Sequence, residues 1–368
     1  MANNYRVAVI GHTGKGNYGH GIDTVWLELP NCQIVGVADA DEAGRAAAAK
    51  RLSAPKAFAD YRQLLDETKP QIVAIGPRWL DQHRDMVLAA AERGCHIYME
   101  KPMCRTPAEA DEMCAACEKH DVKLALAHQT RVSPKLQAIR DLIEDGKLGT
   151  ILELRGRGKE DARGGGEDLW VLGSHVMNLI HHFGGDPTWC FGRVEQEGKP
   201  VGKEHVKPGN EGIGPLAGDS ITAVYGLESG ATAYFGSRKA MGGGKSRFGL
   251  QIFGSKGVVE VVTGHLPSVQ FLPDPAWSPG RSGIGWVPVS SAGLGQPEPL
   301  TEGGLNAGNV LAVKDLIEAI EEDRQPECNM YEGRTTIEMI CGVFESHRVR
   351  GPVTLPLKNR ENALGMLT

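Results

Sequence analysis

The first 128 residues repeat one pattern: a short apolar run, a turn rich in glycine, then a stretch of helical periodicity. Residues 6–10, 33–38, 71–75, 95–99 and 123–127 are the apolar runs. Between them, 42–52 is alanine-rich and 61–68 is a short helical stretch. Residues 83–93 are amphipathic and stop at Gly94, a C-cap. Thr106-Pro107-Ala108-Glu109 opens a further helix with a capping box and an N1 proline. Parallel neighbours need a crossover between them, and crossover helices cover the sheet faces. The alternation therefore specifies a doubly wound parallel sheet of the α/β class over 1–128.

The first turn narrows what the sheet is for. Gly11 closes the first run, and Gly14-Lys15-Gly16-Asn17-Tyr18-Gly19 follows as G-x-G-x-x-G. Such a loop lets backbone N–H groups approach a pyrophosphate at a helix N-terminus. The second run ends in Asp39, 20 residues beyond Gly19. That is the spacing of an acid that accepts hydrogen bonds from the adenosine ribose of NAD. A carboxylate there repels a 2′-phosphate, and Ala40 and Asp41 supply no arginine, so NAD is expected rather than NADP. The fourth run leads into Glu100-Lys101-Pro102, which places a lysine at the carboxyl edge of the sheet, where ligands of such folds sit.

Composition removes other classes. A net charge of -6 without a long run of one sign argues against nucleic acid as a partner. No apolar run reaches membrane-spanning length, and a strand that begins by Tyr5 leaves no room for a signal peptide, so a cytoplasmic protein is expected. The eight cysteines then read as reduced thiols. Cys114 and Cys117 form a CxxC inside a helical stretch with no second pair, which is expected to be core. His175, His181 and His182 lack a carboxylate or cysteine at a metal-ligand spacing, so no metal is expected.

Residues 129–368 have a different texture. Residues 134–146 are helical and 151–158 begin a sheet. Runs at 219–224 and 232–237 flank Glu228-Ser229-Gly230, and runs at 248–253 and 258–262 flank Gly254-Ser255-Lys256-Gly257, both hairpin signals. An α+β domain with a large, mainly antiparallel open sheet is expected, with helices on one face and later helices at 310–322 and 334–349. The Pro-, Gly- and Ser-rich stretch 273–305 reads as a long loop.

The chain resembles the glucose–fructose oxidoreductase / inositol dehydrogenase / rhizopine catabolism (Gfo/Idh/MocA) family of NAD(P)-dependent oxidoreductases over nearly its whole length. The most specific likeness is Ala89-Ala90-Ala91-Glu92-Arg93-Gly94-Cys95-His96-Ile97-Tyr98-Met99-Glu100-Lys101-Pro102. His128-Gln129-Thr130-Arg131-Val132-Ser133-Pro134, Gly173-Ser174-His175 and the closing Gly351-Pro352-Val353-Thr354-Leu355-Pro356 are similar to further family segments. The resemblance implies a Rossmann domain at 1–128 and a substrate-binding and oligomerisation domain at 129–368. It implies hydride transfer between NAD and a secondary hydroxyl of a sugar, cyclitol or glycoside, in a homodimer or homotetramer. Lys101 would lie beside the nicotinamide and the substrate hydroxyl, and His175 would accept the proton. Cofactor contacts are expected from Gly11, Gly14, Lys15, Gly16, Asn17, Asp39, Gly76, Pro77, His83, Glu100, Lys101 and Gln129.

Three departures from the family pattern stand out. The glycine loop is longer, with Gly11-His12-Thr13 ahead of G-x-G-x-x-G, and the loop from Pro77 to His83 is longer by about two residues. Val171 occupies the position of the family's catalytic aspartate, and Asn178 replaces a second carboxylate. Asp168 lies seven residues, two helical turns, before His175. It either shares a helix face with His175 and takes up the missing role, or caps the helix. The charged stretch 159–168 is expected to be a substrate loop, with Lys159, Arg163 and Asp168 contacting substrate alongside Lys101, Arg131 and His175. Two other functions stay open: a glycoside hydrolase or lyase that oxidises its sugar transiently, and a non-catalytic NAD-binding regulator.

Overall fold

The computed structural model describes residues 4–242 and 247–368. It divides into two compact units. The first comprises residues 1–129, 210–213 and 305–334; the second comprises 130–209, 214–304 and 335–368.

In the first unit the strands are β1 (Tyr5–Ile10), β2 (Cys32–Ala38), β3 (Ala57–Phe58), β4 (Ile72–Ile75), β5 (His96–Met99) and β6 (Leu124–Leu126). They pair in the order β3-β2-β1-β4-β5-β6, every pair parallel. The helices between them are α1 (Glu42–Arg51), α2 (Tyr61–Thr68), α3 (His83–Ala91) and α4 (Pro107–Lys119). Strand β4 is buried at every position, which is why it reads as a continuous apolar run rather than an alternating one. Side-chain oxygens cap the helices as their sequences require: Asp41 accepts from Gly44 N–H on α1 and Asp60 from Arg62 N–H on α2. On α4 the capping box is half made. Thr106 accepts from Glu109 N–H at 3.2 Å, but the Glu109 carboxylate turns to the backbone and guanidinium of Arg105.

Two features of this unit differ from expectation. The first turn does not lead into an α-helix; after Gly21 the chain forms a 3-10 turn, Val25–Glu28, before β2. Four glycines with positive φ between Gly14 and Gly21, together with Asn17, keep the backbone out of helical geometry. Residues 305–334, assigned from the sequence to the second domain, pack with the first. The helix Leu305–Glu321 buries Asn309 there, and Leu126 N–H donates to Cys328 O at 2.9 Å, which covers the outer edge of β6.

In the second unit, α5 (Pro134–Glu144) precedes β7 (Ile151–Arg157), followed by α6 (Gly166–Val171) and α7 (Gly173–Gly184). Strand β7 lies inside an eleven-stranded sheet. It pairs antiparallel with Gly249–Gly254 and parallel with Thr232–Arg238, so the sheet is mixed and mostly antiparallel. The hairpins Ser220–Leu227 with Thr232–Arg238 and Gly249–Gly254 with Gly257–Val262 form as their turn residues require. Helix α7 covers one face of the sheet. A side chain at Gly156 would collide with Val176, so glycine lets helix and strand approach. The stretch 273–305 is not a bare loop: it holds the short helix Pro279–Ser282 and the strands Val287–Ser290 and Gly293–Leu294. Strand Pro187–Gln196, which the sequence reading did not assign, pairs with Ser220–Leu227 and lies between Gly184-Gly185-Asp186 and the Glu197-Gly198 turn. Among the described residues no helix is long and apolar enough to cross a membrane.

Candidate cofactor cleft and catalytic residues

Beyond β1 the chain doubles back. His12 N–H donates to Asn17 O at 2.9 Å, and Asn17 adopts φ 55°. Gly16 and Gly19 are the positions where nothing larger fits. Both have positive φ. A Cβ on Gly16 would meet the Arg78 and Trp79 amides, and one on Gly19 would meet Gly76 O and the Glu100 side chain. The two glycines thus bring the loop against the turns that follow β4 and β5. Lys15 extends over the Trp79 ring, 6.0 Å from its centre. The Tyr18 ring lies directly on Gly11, under the Arg51 guanidinium.

A cavity of about 230 Å³ opens at the carboxyl ends of β1 and β2, lined by Gly11, His12, Asp39, Asp60, Tyr61 and Gln82 among others. Asp39 is 1% exposed. Its carboxylate accepts from Thr13 N–H at 3.0 Å, from the Thr13 hydroxyl at 2.7 Å and from Asp41 N–H at 3.0 Å. Sequence reasoning singled out the acid and missed its holder, Thr13, which belongs to the extra loop residues. The Tyr18 hydroxyl is shut off from solvent beside Asp39. Burial first, and then the Asp39 charge, push its ionisation upward. A cleft at this sheet edge and an anchored carboxylate fit the adenosine half of a dinucleotide.

The Glu100-Lys101-Pro102 turn is the second part of the site. Glu100 N–H continues the β4–β5 pairing through Ile75 O at 3.0 Å, and the Lys101–Pro102 peptide is cis. Glu100 is 1% and Lys101 7% exposed. The Glu100 carboxylate accepts from His20 N–H at 2.8 Å and Lys101 N–H at 3.0 Å, and faces His20 Nδ1 at 2.6 Å. Burial is the largest influence on this acid and opposes its charge. The His20 hydrogen bond and the Lys101 charge outweigh it and hold the carboxyl below its ordinary range.

Asn309 braces the same region. Its Oδ1 accepts from Tyr98 hydroxyl at 2.8 Å and Gln129 Nε2 at 2.9 Å, and its Nδ2 donates to His20 O at 2.8 Å. Gln129 is thus oriented by its amide nitrogen. Neither His20 nor Asn309 carried a signal in the sequence. His83, expected among the cofactor contacts, is wholly buried. Its Nε2 lies 2.7 Å from Pro77 O and its Nδ1 3.1 Å from Pro102 O, so the ring joins the two turns instead of facing the cleft.

In the second unit His175 occupies the first turn of α7, half-buried, its ring edge-on to Phe248 at 6.2 Å between centres. Asp168 corrects both sequence alternatives. The chain breaks at Leu172 between α6 and α7, so Asp168 and His175 share no continuous helix. Nor is Asp168 a cap; Gly165 holds that position. The Asp168 side chain is fully buried, accepting from Glu160 N–H at 3.0 Å, Lys159 N–H at 3.3 Å and the Ser237 hydroxyl. Burial raises its pKa against these bonds. Arg163 pairs with Asp161 at 2.7 Å and, as the main cause, holds that carboxyl down to about 2. Lys159 is exposed and Arg131 buried. Val171 is buried, and Asn178 donates to the Thr336 hydroxyl at 3.5 Å inside the core.

Cys114 and Cys117 are buried on α4, where desolvation pushes both thiols up to about 12, and all eight cysteines are free. Among the described residues no three His, Cys, Asp or Glu side chains cluster to hold a metal.

Comparison with known proteins bears on the whole chain. Residues 5–128 match the model described as an oxidoreductase family with an NAD-binding Rossmann fold, and 136–260 match the GFO/IDH/MocA C-terminal domain. The levoglucosan dehydrogenase of Pseudarthrobacter phenanthrenivorans is 24% identical over 314 residues, 78% of this chain and 80% of that one. The myo-inositol 2-dehydrogenase of Thermotoga maritima is 28% identical over 211 residues, 56% and 61% of the two chains. The 2,7-anhydro-N-acetylneuraminate hydratase of Mediterraneibacter gnavus is 27% identical over 211 residues, 52% and 54% of the two chains. A solved levoglucosan dehydrogenase in complex with NADH and L-sorbose superposes with TM-score 0.78 over 97% of this chain and 100% of its own, at 20% identity. With both domain models matched along one chain, the protein belongs to the Gfo/Idh/MocA family of NAD-binding oxidoreductases.

Proposed function

We propose that the protein is an NAD-dependent dehydrogenase that oxidises a secondary hydroxyl of a sugar, cyclitol or glycoside. The observation that carries this reading is the Glu100–Lys101 turn: a lysine at the carboxyl edge of the sheet, its backbone fixed by a buried, ionised glutamate. Bound NAD supplies the hydride acceptor. Asp39, oriented by Thr13, is the residue to hold the adenosine ribose, and its charge disfavours a 2′-phosphate. Gln129, its amide nitrogen held by Asn309, is the residue to meet the carboxamide end. Lys101 donates hydrogen bonds from its ammonium to the substrate oxygen and stabilises charge as the hydroxyl loses its proton. His175 takes that proton on its imidazole. Asp168 acts indirectly, fixing the backbone at Lys159 and Glu160.

A panel of sugars, cyclitols and glycosides screened for NADH formation tests the reading, with Lys101→Ala as the control. Turnover is expected to vanish in that variant while NAD still binds; near-wild-type turnover would refute the assignment.

A second reading is a lyase or hydrolase that oxidises and re-reduces its sugar. The hydratase relative favours it, since its name describes no net oxidation. Product formation without NADH accumulation separates the two. The partner expected besides substrate is a second copy of the chain. Trp189, Phe191 and Tyr234 are exposed on one sheet face, Phe191 and Tyr234 flanking Val224. Sedimentation at micromolar concentration tests this, a monomer being the contrary result.

A further inference from the structure

A second cavity, of about 440 Å³, lies on the sheet of the second unit and is lined by Arg157, Arg238, Arg247, Ser220, Thr222 and Glu160 among others. None of the lining arginines belongs to the site described above. Gly156 faces α7, so Arg157, the next residue, leaves β7 on the other side. There it crosses Gly236 of the neighbouring strand, where any side chain would collide with its guanidinium.

Glu160 anchors the arrangement. Its side chain is fully buried. Its Oε1 accepts from Arg157 Nη2 and from Arg238 N–H at 3.0 Å, and its Oε2 from Arg247 Nη2 at 2.7 Å. Its own backbone takes φ 58° and donates to Asp168 at 3.0 Å, so the carboxylate is held from both ends. One carboxylate neutralises one of three guanidinium groups, leaving the lining with two positive charges in excess. Arg157 Nε is buried without a partner, and Arg238 engages Glu160 through its backbone alone, so its side chain spends no bond there.

Planar donors fixed in place by a buried acid, beside the hydroxyl-bearing Ser220 and Thr222, are the chemistry that recognises an oxyanion carrying hydroxyl groups. We propose that this cavity binds a small hydroxylated oxyanion, of the sugar-carboxylate or sugar-phosphate kind. The site stands independently of the dehydrogenase reading and lies on the same sheet face as Trp189, Phe191 and Tyr234.

The test is isothermal titration of the full chain with D-gluconate and with inorganic phosphate, NADH being present throughout to fill the dinucleotide cleft. Neutral D-glucitol is the control. At least one anion is expected to bind saturably at one site per chain, and glucitol not at all; which anion binds assigns the carboxylate or phosphate source. Arg238→Gln removes a charge without unpairing Glu160 and is expected to weaken binding at least tenfold at unchanged melting temperature. Thr222→Glu, which puts a negative charge in the cavity, is expected to abolish binding. The proposal is overturned if neither anion binds the wild type, or if both variants bind as the wild type does. It is equally overturned if Arg238→Gln dissociates an oligomer whose wild type binds no anion, which would make a second copy's acidic side chain the occupant.

Discussion

Thr13 and Asp39 are bonded twice, main chain and side chain: the Thr13 amide and hydroxyl both donate to the Asp39 carboxylate, at 3.0 and 2.7 Å. The extra residues of the glycine loop thereby orient the acid proposed to hold the ribose. Removing the hydroxyl in Thr13→Val leaves the amide bond and deletes a bond to a charged acceptor, worth about 1.5–3 kcal/mol. NAD affinity is expected to fall roughly tenfold, since tenfold is about 1.4 kcal/mol. Asp39→Ala is expected to lose more and to narrow the preference over NADP. Fluorescence titration with both cofactors checks this; a Thr13→Val variant that binds NAD like the wild type would sever the loop from the acid's function.

The charge of Glu100 makes a pH prediction. Its pKa in the folded protein is depressed, so the stability it contributes is present above the unfolded value, roughly 4.3, and is lost as pH falls through the folded value. His20→Ala deletes the hydrogen bond that most opposes burial. The carboxyl's folded pKa is then expected to rise, and the acid side of the melting-temperature profile to move to higher pH. Scans between pH 3 and 7 decide it, and superimposable acid limbs would show that His20 does not support the charge.

Asp168 is a clamp on the loop rather than the helper of His175 that its spacing suggested. Its pKa is raised, so its linked stability is greatest below the ordinary aspartate value and declines as pH rises through the folded value. Asp168→Asn offers an amide to three donors and can accept from only part of them. It is expected to cost about 2–4 kcal/mol in urea unfolding, from unsatisfied buried donors. It is also expected to flatten the decline just above pH 4. A stable variant with its kcat reduced would instead place Asp168 in the chemistry.

The sequence disclosed the parallel sheet, the glycine loop, Asp39 and the Lys101 turn because each rests on local rules: apolar runs, positive-φ glycines, fixed spacings. What it hid depends on partners far along the chain. Thr13 is legible only once β2 places Asp39 beside it. Asp168 looked like a helix-mate of His175 because seven residues make two turns, but the break at Leu172 cannot be read from periodicity. Strand Pro187–Gln196 alternates too weakly to stand out, since its exposed face carries Trp189 and Phe191. His83 holds two turns together through backbone carbonyls, which any sequence presents everywhere, while His20 meets Glu100 and Asn309 meets Tyr98 and Gln129, partners far along the chain.

Asn309 shows how far such a hidden brace reaches. It comes from the returning segment 305–334, is completely buried, and joins Tyr98, Gln129 and His20, residues that frame the Lys101 turn. In Asn309→Ala the Tyr98 hydroxyl, the Gln129 amide and the His20 carbonyl all lose this partner at once. Each buried group left unsatisfied costs about 1–3 kcal/mol, and the sum is smaller than the parts because the cavity relaxes. A loss of about 3 kcal/mol in urea unfolding is expected. Asn309→Asp keeps the acceptor for Tyr98 and Gln129 but not the donor to His20, and brings a second carboxylate near Glu100. It is therefore expected to recover little of that stability and to shift the Glu100 titration upward, because like charge disfavours ionisation. An Asn309→Asp protein as stable as the wild type, with an unmoved acid limb, would show that the brace is packing rather than hydrogen bonding.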